Sequence, residues 1–393
     1  MTIGTSDAAA QLAAIRPPAT GVPAIGMPEY RARLDRARGL TAALGADALL
    51  VPAGPSLRYF TGVPWGATER LVALLLPVSG EPIIVCPRFE AGTLAADLTI
   101  AADLRFWEED DSPVALVADA ARGMGTVAVD PLLPFGWGEA LRRAGVSPVD
   151  GAAAIDGCRM VKSPAELACL GAAKAMTLDV QRRAAAILRP GIAASEVVRF
   201  IDAAHHAIGG GGSYFCAVQF GRATAFPHGL PGDQLLEENQ LVLIDTGCRV
   251  HGYHSDITRT YAFGTVTQEV RDIWGIEHEA QAAAFAAVAP GVPCEAVDAA
   301  ARVVLERHGL GPEYRLPGLP HRTGHGIGLA IHEPAYLVRG DRTLLAPGMC
   351  FSNEPMIVVP DRFGVRLEDH FHVTATGAAW FTPPQPAIDR PFD

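Results

Sequence analysis

Asp245, Asp256, His325, Glu354 and Glu368 are the residues whose types and surroundings could do metal chemistry. Asp245 ends the apolar run Leu241-Val242-Leu243-Ile244, and Asp256 opens the β-prone return Ile257-Thr258-Arg259-Thr260-Tyr261. Read as a hairpin centred between Val250 and His251, position 245 faces position 256. Carboxylates directly opposed across two strands repel each other, so a cation is expected between them. Three more polar clusters interrupt apolar sequence downstream, at residues 321–332, 348–355 and 364–369. In each, small residues let backbone approach closely while an acid or imidazole projects. Together the carboxylates and the single imidazole, with no thiolate, suit hard or borderline divalent ions, Mn first, with Co, Zn or Fe as alternatives. Their charge can balance two such ions. Two metals about 3.5–4 Å apart, sharing carboxylates and a water, form a hydrolytic arrangement that lowers the water's pKa and polarises a carbonyl. Each residue alone has a plainer reading: a strand-end Asp caps a turn, His325 is a hydrogen-bonded core histidine, and Glu354 before Pro355 terminates a strand. Their conjunction favours metal, because burying so much like charge without a cation is very costly.

The elements that must position these groups are legible as patterns. Residues 214–220, 241–263, 358–359 and 371–374 read as strands, with Ala-rich helices at 266–290 and 297–308. That mixture predicts an α+β domain with a curved antiparallel sheet. Its first helix starts at Ser163, a good N-cap followed by Pro164 and by Glu166 as the acid of a capping box, and runs towards Leu188. A second helix from Ser195 carries Val197, Val198, Ile201 and Ala204. Upstream, a helix at 28–45 and short apolar runs at 48–52, 71–76 and 82–86, followed by a helix at 114–121 and a strand at 126–129, predict a smaller layered α/β domain. This half holds no phosphate-binding loop and no clustered His/Cys set, which makes it a scaffold or lid. The expected domains are 1–157, with 1–21 a flexible or loosely docked arm, and 158–393. The glycine run 209–212 lacks a following Lys-Ser/Thr and is expected as a mobile loop rather than a phosphate cradle.

Composition bounds the function class. With 49% hydrophobic and 19% charged residues in 393, the chain can bury a sizeable core. A net charge of −11 argues against nucleic acid or an anionic membrane as partner. No apolar run approaches the ~18 residues that span a bilayer, and the N-terminal stretch does not read as a signal peptide. Seven scattered cysteines without a Cys-x-x-Cys pair point to free thiols and a cytoplasmic location.

Residues 218–374 resemble the pita-bread metallopeptidases, in the branch that holds aminopeptidase P and Xaa-Pro dipeptidase (prolidase). The likeness rests on Asp245-x-Gly with Gly-Tyr-x-Ser-Asp256-x-Thr-Arg-Thr, His321-x-x-Gly-His325-Gly-Ile-Gly with His332-Glu, Asn-Glu354-Pro, and Gly-x-Arg366-Leu-Glu368-Asp. Phe220-Gly-Arg-Ala-Thr-Ala-Phe-Pro-His228 extends it, and Arg159-Met-Val-Lys-Ser-Pro-Ala-Glu166 is similar to the family's linker helix. The first half resembles the family's creatinase-like N-terminal domain more loosely. The resemblance implies that Asp245 binds one metal bidentately, that Asp256 and Glu368 bridge, and that His325 and Glu354 complete the second site. It makes Glu354 the general base, His228 and His332 the substrate-side histidines, and His321 and Arg366 orienting residues. It also implies a homodimer acting on proline-containing peptides, at the bond before a proline in second position.

That specificity has its own rationale, since proline lacks the N–H that ordinary exopeptidases require. Many relatives read Glu-Pro-Gly-x-Tyr where this chain has Glu354-Pro355-Met356-Ile357-Val358, so a tyrosine hydroxyl is absent there. The expected activity is Xaa-Pro dipeptidase, with Xaa-Pro aminopeptidase on longer peptides as the near alternative. A lyase on the same fold would be expected to carry an extra carboxylate where Gly247 stands. Non-catalytic relatives have usually lost ligands, and creatine-hydrolysing relatives lack them, whereas here the set is intact.

Overall fold

Near-continuous apolar runs in the first half of the chain become strands buried on both faces, as expected of a sheet covered by helices. The computed structural model describes residues 3–18 and 21–392. The chain divides into two compact units, one being Ala24–Met160 and the other Val161–Asp393 together with the leading residues through Pro23.

The leading segment carries α1 (Ala8–Ala13), capped by the Asp7 carboxylate. The backbone N–H groups of Gly4 and Ser6 donate to the carbonyls of Ala185 and Ala186, each at 3.0 Å. These bonds explain why a stretch expected as an arm is grouped with the second unit.

The Ala24–Met160 unit contains α2 (Met27–Ala43), β1 (Ala48–Pro52), α3 (Pro55–Thr61), β2 (Ala73–Pro77), β3 (Ile83–Pro87), α4 (Ala91–Asp97) and β4 (Asp103–Trp107), then α5 (Pro113–Ala120), β5 (Val127–Val129), α6 (Phe135–Arg143), β6 (Pro148–Asp150) and α7 (Ala152–Arg159). The strands form one sheet in the order β4-β3-β2-β1-β5-β6. Pairing is antiparallel between β1 and β2 and between β2 and β3, and parallel elsewhere. Leu50, Ala73, Leu75, Val85 and Val117 are among the residues of its core.

In the second unit, α8 (Pro164–Ala186) begins with the expected capping box. Glu166 N–H donates to Ser163 Oγ at 3.2 Å and Ser163 N–H to Glu166 Oε2 at 2.9 Å. α9 (Ala194–Ile208) ends at Gly209 in the left-handed region. Both helices pack on an antiparallel sheet of β7 (Phe215–Phe220), β8 (Gln240–Gly247) and β11 (Ile257–Phe263), through a core that includes Val180, Ala184, Val197, Ile201, Val242 and Ile244. Between β8 and β11 lie the paired β9 (Arg249–Val250) and β10 (Tyr253–His254). Next come α10 (Gln268–Ala286) and α11 (Cys294–Arg307). A second antiparallel sheet is ordered β13 (Glu333–Leu337), β12 (Gly324–Gly326), β14 (Cys350–Asn353), β17 (Asp369–Val373), β18 (Ala378–Trp380). β15 (Met356–Val359) pairs with β16 (Phe363–Arg366). An isolated bridge, Thr258↔Glu368, ties the two sheets together. This is the α+β architecture expected, with antiparallel sheets in the second unit and a layered α/β unit before it.

The central hairpin has a different register from the one expected. Asp245 pairs with Thr258, and Ile257 with Thr246. The turn is centred on His251 and Gly252, whose φ values of 49° and 89° are both positive, as a tight type I′ connection requires. Moving the centre by one residue moves every cross-strand partner by two, so the carboxylates of Asp245 and Asp256 are offset diagonally and keep a common face. Gly247 stands in the position opposite Asp256, and a Cβ there would lie 1.9 Å from the Ser255 carbonyl oxygen.

One face of α8 carries Lys174, Thr177 and Gln181, all buried under this hairpin. Lys174 Nζ donates to the His254 carbonyl at 3.1 Å, Thr177 Oγ1 meets Ser255 Oγ at 2.7 Å, and Gln181 Nε2 donates to the Ile244 and Ile257 carbonyls. Buried backbone groups at the irregular end of the hairpin are thereby satisfied by side chains.

Candidate metal centre

Five chain segments bring the expected residues together. Asp245 sits near the end of β8, Asp256 between β10 and β11, and His325 in the middle of β12. Glu354 follows β14 and Glu368 lies between β16 and β17. One ligand atom each from Asp256, His325 and Glu368 lies within 4.8 Å of the others. His325 Nε2 is 3.0 Å from Glu354 Oε1 and 3.9 Å from Asp256 Oδ2. His325 Nδ1 is 2.9 Å from the Gly326 carbonyl oxygen, so the tautomer protonated there turns its Nε2 lone pair towards the acids.

Around these groups a second set of contacts fixes the carboxylates. Arg366 Nη2 donates to Asp245 Oδ2, and Arg366 Nε donates to Thr258 Oγ1 at 3.1 Å. Thr258 Oγ1 in turn donates to Glu368 Oε2 at 2.7 Å. Ser352 Oγ donates to Glu354 Oε1 at 3.1 Å and accepts from the His325 N–H at 2.9 Å. Thr258 lies inside the Asp256-x-Thr-Arg-Thr motif and Ser352 directly precedes Asn-Glu354-Pro, and neither residue type by itself marks a metal site. The signal that could have found them is strand alternation: Ser352 is two residues before Glu354, and Thr258 is two after Asp256.

The electrostatics are those of an acid cluster short of positive charge. Burial, reinforced by Glu368, Asp245 and Glu354, raises Asp256 well above the usual carboxylate range. Burial and the charges of Glu354 and Asp245 do the same to Glu368. Burial raises Asp245 against the opposing pull of Arg366. Glu354 goes the other way, because His325, His321 and Arg366 outweigh its burial and bring it down to about 2. Asp245 Oδ1, Asp256 Oδ1 and Glu368 Oε1 are buried and have no hydrogen-bond partner. Partnerless buried acceptors beside an imidazole lone pair match the donor set of a hard or borderline divalent cation. The residues fit such an ion.

The substrate-side residues are placed less uniformly. His332 is open to solvent on one side only and sets its ring edge-on to His325, with centroids 4.3 Å apart. Burial of its ring, with His325 beside it, lowers its pKa to about 4. His321 is half-buried, its Nδ1 is 2.7 Å from the Arg322 carbonyl oxygen, and burial lowers its pKa. His228 lies exposed beyond the short helical turn Gly221–Ala225, and no hydrogen bond, ion pair or ring contact ties it to the cluster among the described residues.

Comparison with known proteins matches residues 168–375 to the metallopeptidase family M24 model and residues 33–161 to the creatinase/prolidase N-terminal domain. The chain belongs to metallopeptidase family M24. Among its M24 relatives is the "Probable dipeptidase PepE" of Mycobacterium tuberculosis, 38% identical over 354 residues that cover 89% of this chain and 93% of the relative. The crystal structure of dipeptidase PepE from Mycobacterium ulcerans superposes with a TM-score of 0.85 at 38% identity, covering 93% of this chain and 99% of that one. A prolidase from Thermococcus sibiricus gives 0.83 at 28% identity, covering 91% and 98%. Membership makes the chain a peptidase that works with divalent metal. Among the described residues no helix is long and apolar enough to cross a membrane.

Proposed function

We propose that this M24 peptidase is a two-metal dipeptidase that hydrolyses the bond before proline in Xaa-Pro dipeptides. The observation that carries the reading is the buried acid cluster with its partnerless oxygens, facing one imidazole nitrogen. Asp245, Asp256, His325, Glu354 and Glu368 would hold the two ions; manganese comes first, and cobalt, zinc or iron are alternatives. Bound there, the ions would lower the pKa of a water and polarise the scissile carbonyl.

The chain's own residues supply the rest. Glu354, whose carboxyl is brought down to about 2, is ionised and takes the proton of the attacking water. Arg366 fixes the rotation of Asp245 through its guanidinium. His332, kept neutral beside His325, and His228 on its exposed loop donate to the carbonyl oxygen and the leaving nitrogen. His321 orients the substrate near them. None of these contacts needs an N–H on the residue after the cut, which is what lets proline stand there. The relative named as a probable dipeptidase supports dipeptides as the substrate, and the one named as a prolidase supports the proline.

The decisive assay pairs a metal analysis with hydrolysis of Ala-Pro and Ala-Pro-Ala in Mn2+. Two ions per chain and turnover of Ala-Pro alone are expected; comparable turnover of both peptides would make the chain an Xaa-Pro aminopeptidase. Bound metal with neither peptide cleaved would favour a lyase on this fold. Asp245→Ala should lose metal and activity together, and retention of both would remove the site assignment. The reading includes a homodimer in the cytoplasm, supported for the compartment by seven free cysteines; light scattering tests the dimer.

A further inference from the structure

β17 carries a second imidazole that the scheme above leaves unused. His370 is completely buried, and neither of its ring nitrogens has a hydrogen-bond partner. Its Nε2 lies 4.0 Å from Glu368 Oε1, which is itself a buried oxygen without a partner. Residues two apart on an extended chain share a face, so Glu368 and His370 look the same way. The His370 ring is 6.4 Å from that of His325, with the Lys174 ammonium and the Asp256 backbone carbonyl also beside it. In every protonation state an imidazole carries at least one ring N–H, which here has the Glu368 carboxylate and the Asp256 carbonyl as its nearby acceptors.

Burying an imidazole with both nitrogens unmatched is costly, and an aromatic hydrocarbon of similar size would fill the space without that cost. A carboxylate can only accept, so the two unmatched groups are complementary. An approach of about 1 Å closes a hydrogen bond between them. Each carboxylate oxygen has two lone pairs, which lets Oε1 accept from His370 and still face the acid cluster. We propose that His370 is a positioning residue for Glu368, its Nε2–H holding Oε1 while Thr258 holds Oε2 from the other end. The inference rests on the reading of Glu368 as a metal ligand. Hydrogen bonds from just beyond the ligands set their orientation, and losing one lowers metal affinity about 10–100-fold.

Calorimetric titration of the metal-free protein with Mn2+ tests this, run on wild type, His370→Phe and His370→Gln beside thermal unfolding of each metal-free form. His370→Phe should melt at or above the wild-type temperature yet bind Mn2+ about 10–100-fold more weakly. His370→Gln, whose amide N–H can reach the place of Nε2, should recover most of that affinity. Wild-type affinity in a folded His370→Phe overturns the proposal. So does a folded His370→Gln that binds poorly, and this second variant decides the matter if the first does not fold. A wild-type chain that takes up no Mn2+ at all overturns the metal reading of Glu368, and this inference with it.

Discussion

Two buried charge clusters sit back to back on the same pair of chain segments and behave in opposite ways. Thr258 and Glu368 face the acid cluster, while the next residues along, Arg259 and Asp369, face away from it as a pair with 0% exposure on each side chain. Arg259 Nη2 is 2.6 Å from Asp369 Oδ1, Nη1 donates to the Glu368 and Thr258 carbonyls, and Gln281 Nε2 donates to Asp369 Oδ2 at 3.2 Å. There charge is balanced and both carboxylate oxygens are matched. On the opposite face, four carboxylates meet one guanidinium, with the His325 imidazole 3.0 Å from Glu354 and that of His370 4.0 Å from Glu368, and three oxygens have no partner. Burial alone therefore does not mark a site; burial with uncompensated charge does. Balanced groups hold the chain together, and unbalanced ones have the chemistry to accept a cation.

The contrast can be broken most forcefully at Asp256. Asp256→Asn should reduce Xaa-Pro hydrolysis to background and cut bound metal, measured by elemental analysis. In the metal-free protein it should raise stability by about 1–4 kcal/mol, because it relieves repulsion among buried like charges. A metal-free variant that melts lower than wild type would dissolve the distinction between the two clusters. Arg259→Met tests the other side. It leaves Asp369 buried and unpaired, and should cost about 3–5 kcal/mol in urea unfolding whether metal is present or not.

Acid–base behaviour grades the clusters: burial raises Asp369 too, to about 6 against the pull of Arg259, but Asp256 and Glu368 are raised further. For Asp256 and Glu368, whose folded pKa values are raised, the unfolded chain ionises first, near pH 4. Their contribution is whole below that pH and is lost as pH rises through the folded values. Glu354 has the opposite sign: its contribution is present above its unfolded value and is lost as pH falls towards about 2. The metal-free protein should therefore melt lower at about pH 8 than at about pH 5, with a shallower slope in Asp256→Asn and with Mn2+ reversing the trend. Scanning calorimetry across that range, with and without chelator, reads all of these. The smallest effect is expected at Thr258, whose hydroxyl touches both Arg366 and Glu368. Thr258→Val should lower hydrolysis about 10–100-fold while costing only about 1 kcal/mol of stability, since the balanced pair beside it is untouched.

The acid cluster was legible in the sequence because each of its residues stands beside small or strand-ending residues and in a recurrent order. The capping box at Ser163 was legible for a local reason, since three residues carry the whole signal. The hairpin register was not, because it depends on His251 adopting a positive φ that few non-glycine residues take. The balanced pair was hidden too: Arg259 and Asp369 are 110 positions apart, and only the bridge between the sheets makes them neighbours. Lys174, Thr177 and Gln181 read as ordinary polar positions of an Ala-rich helix, and their burial depends on a hairpin that comes later in the chain. His228 remains the residue whose expected role depends most on the family likeness, since its loop holds it in the open.

Gly247 bears on how this protein could change over generations. Its missing side chain leaves no room even for a methyl group against the Ser255 carbonyl, and Gly324 is as tightly closed by the Ser352 carbonyl, 2.1 Å from where a Cβ would be. The floor of the site therefore offers selection almost no viable variants. Substitution is sterically freer at exposed positions such as His228 and His332.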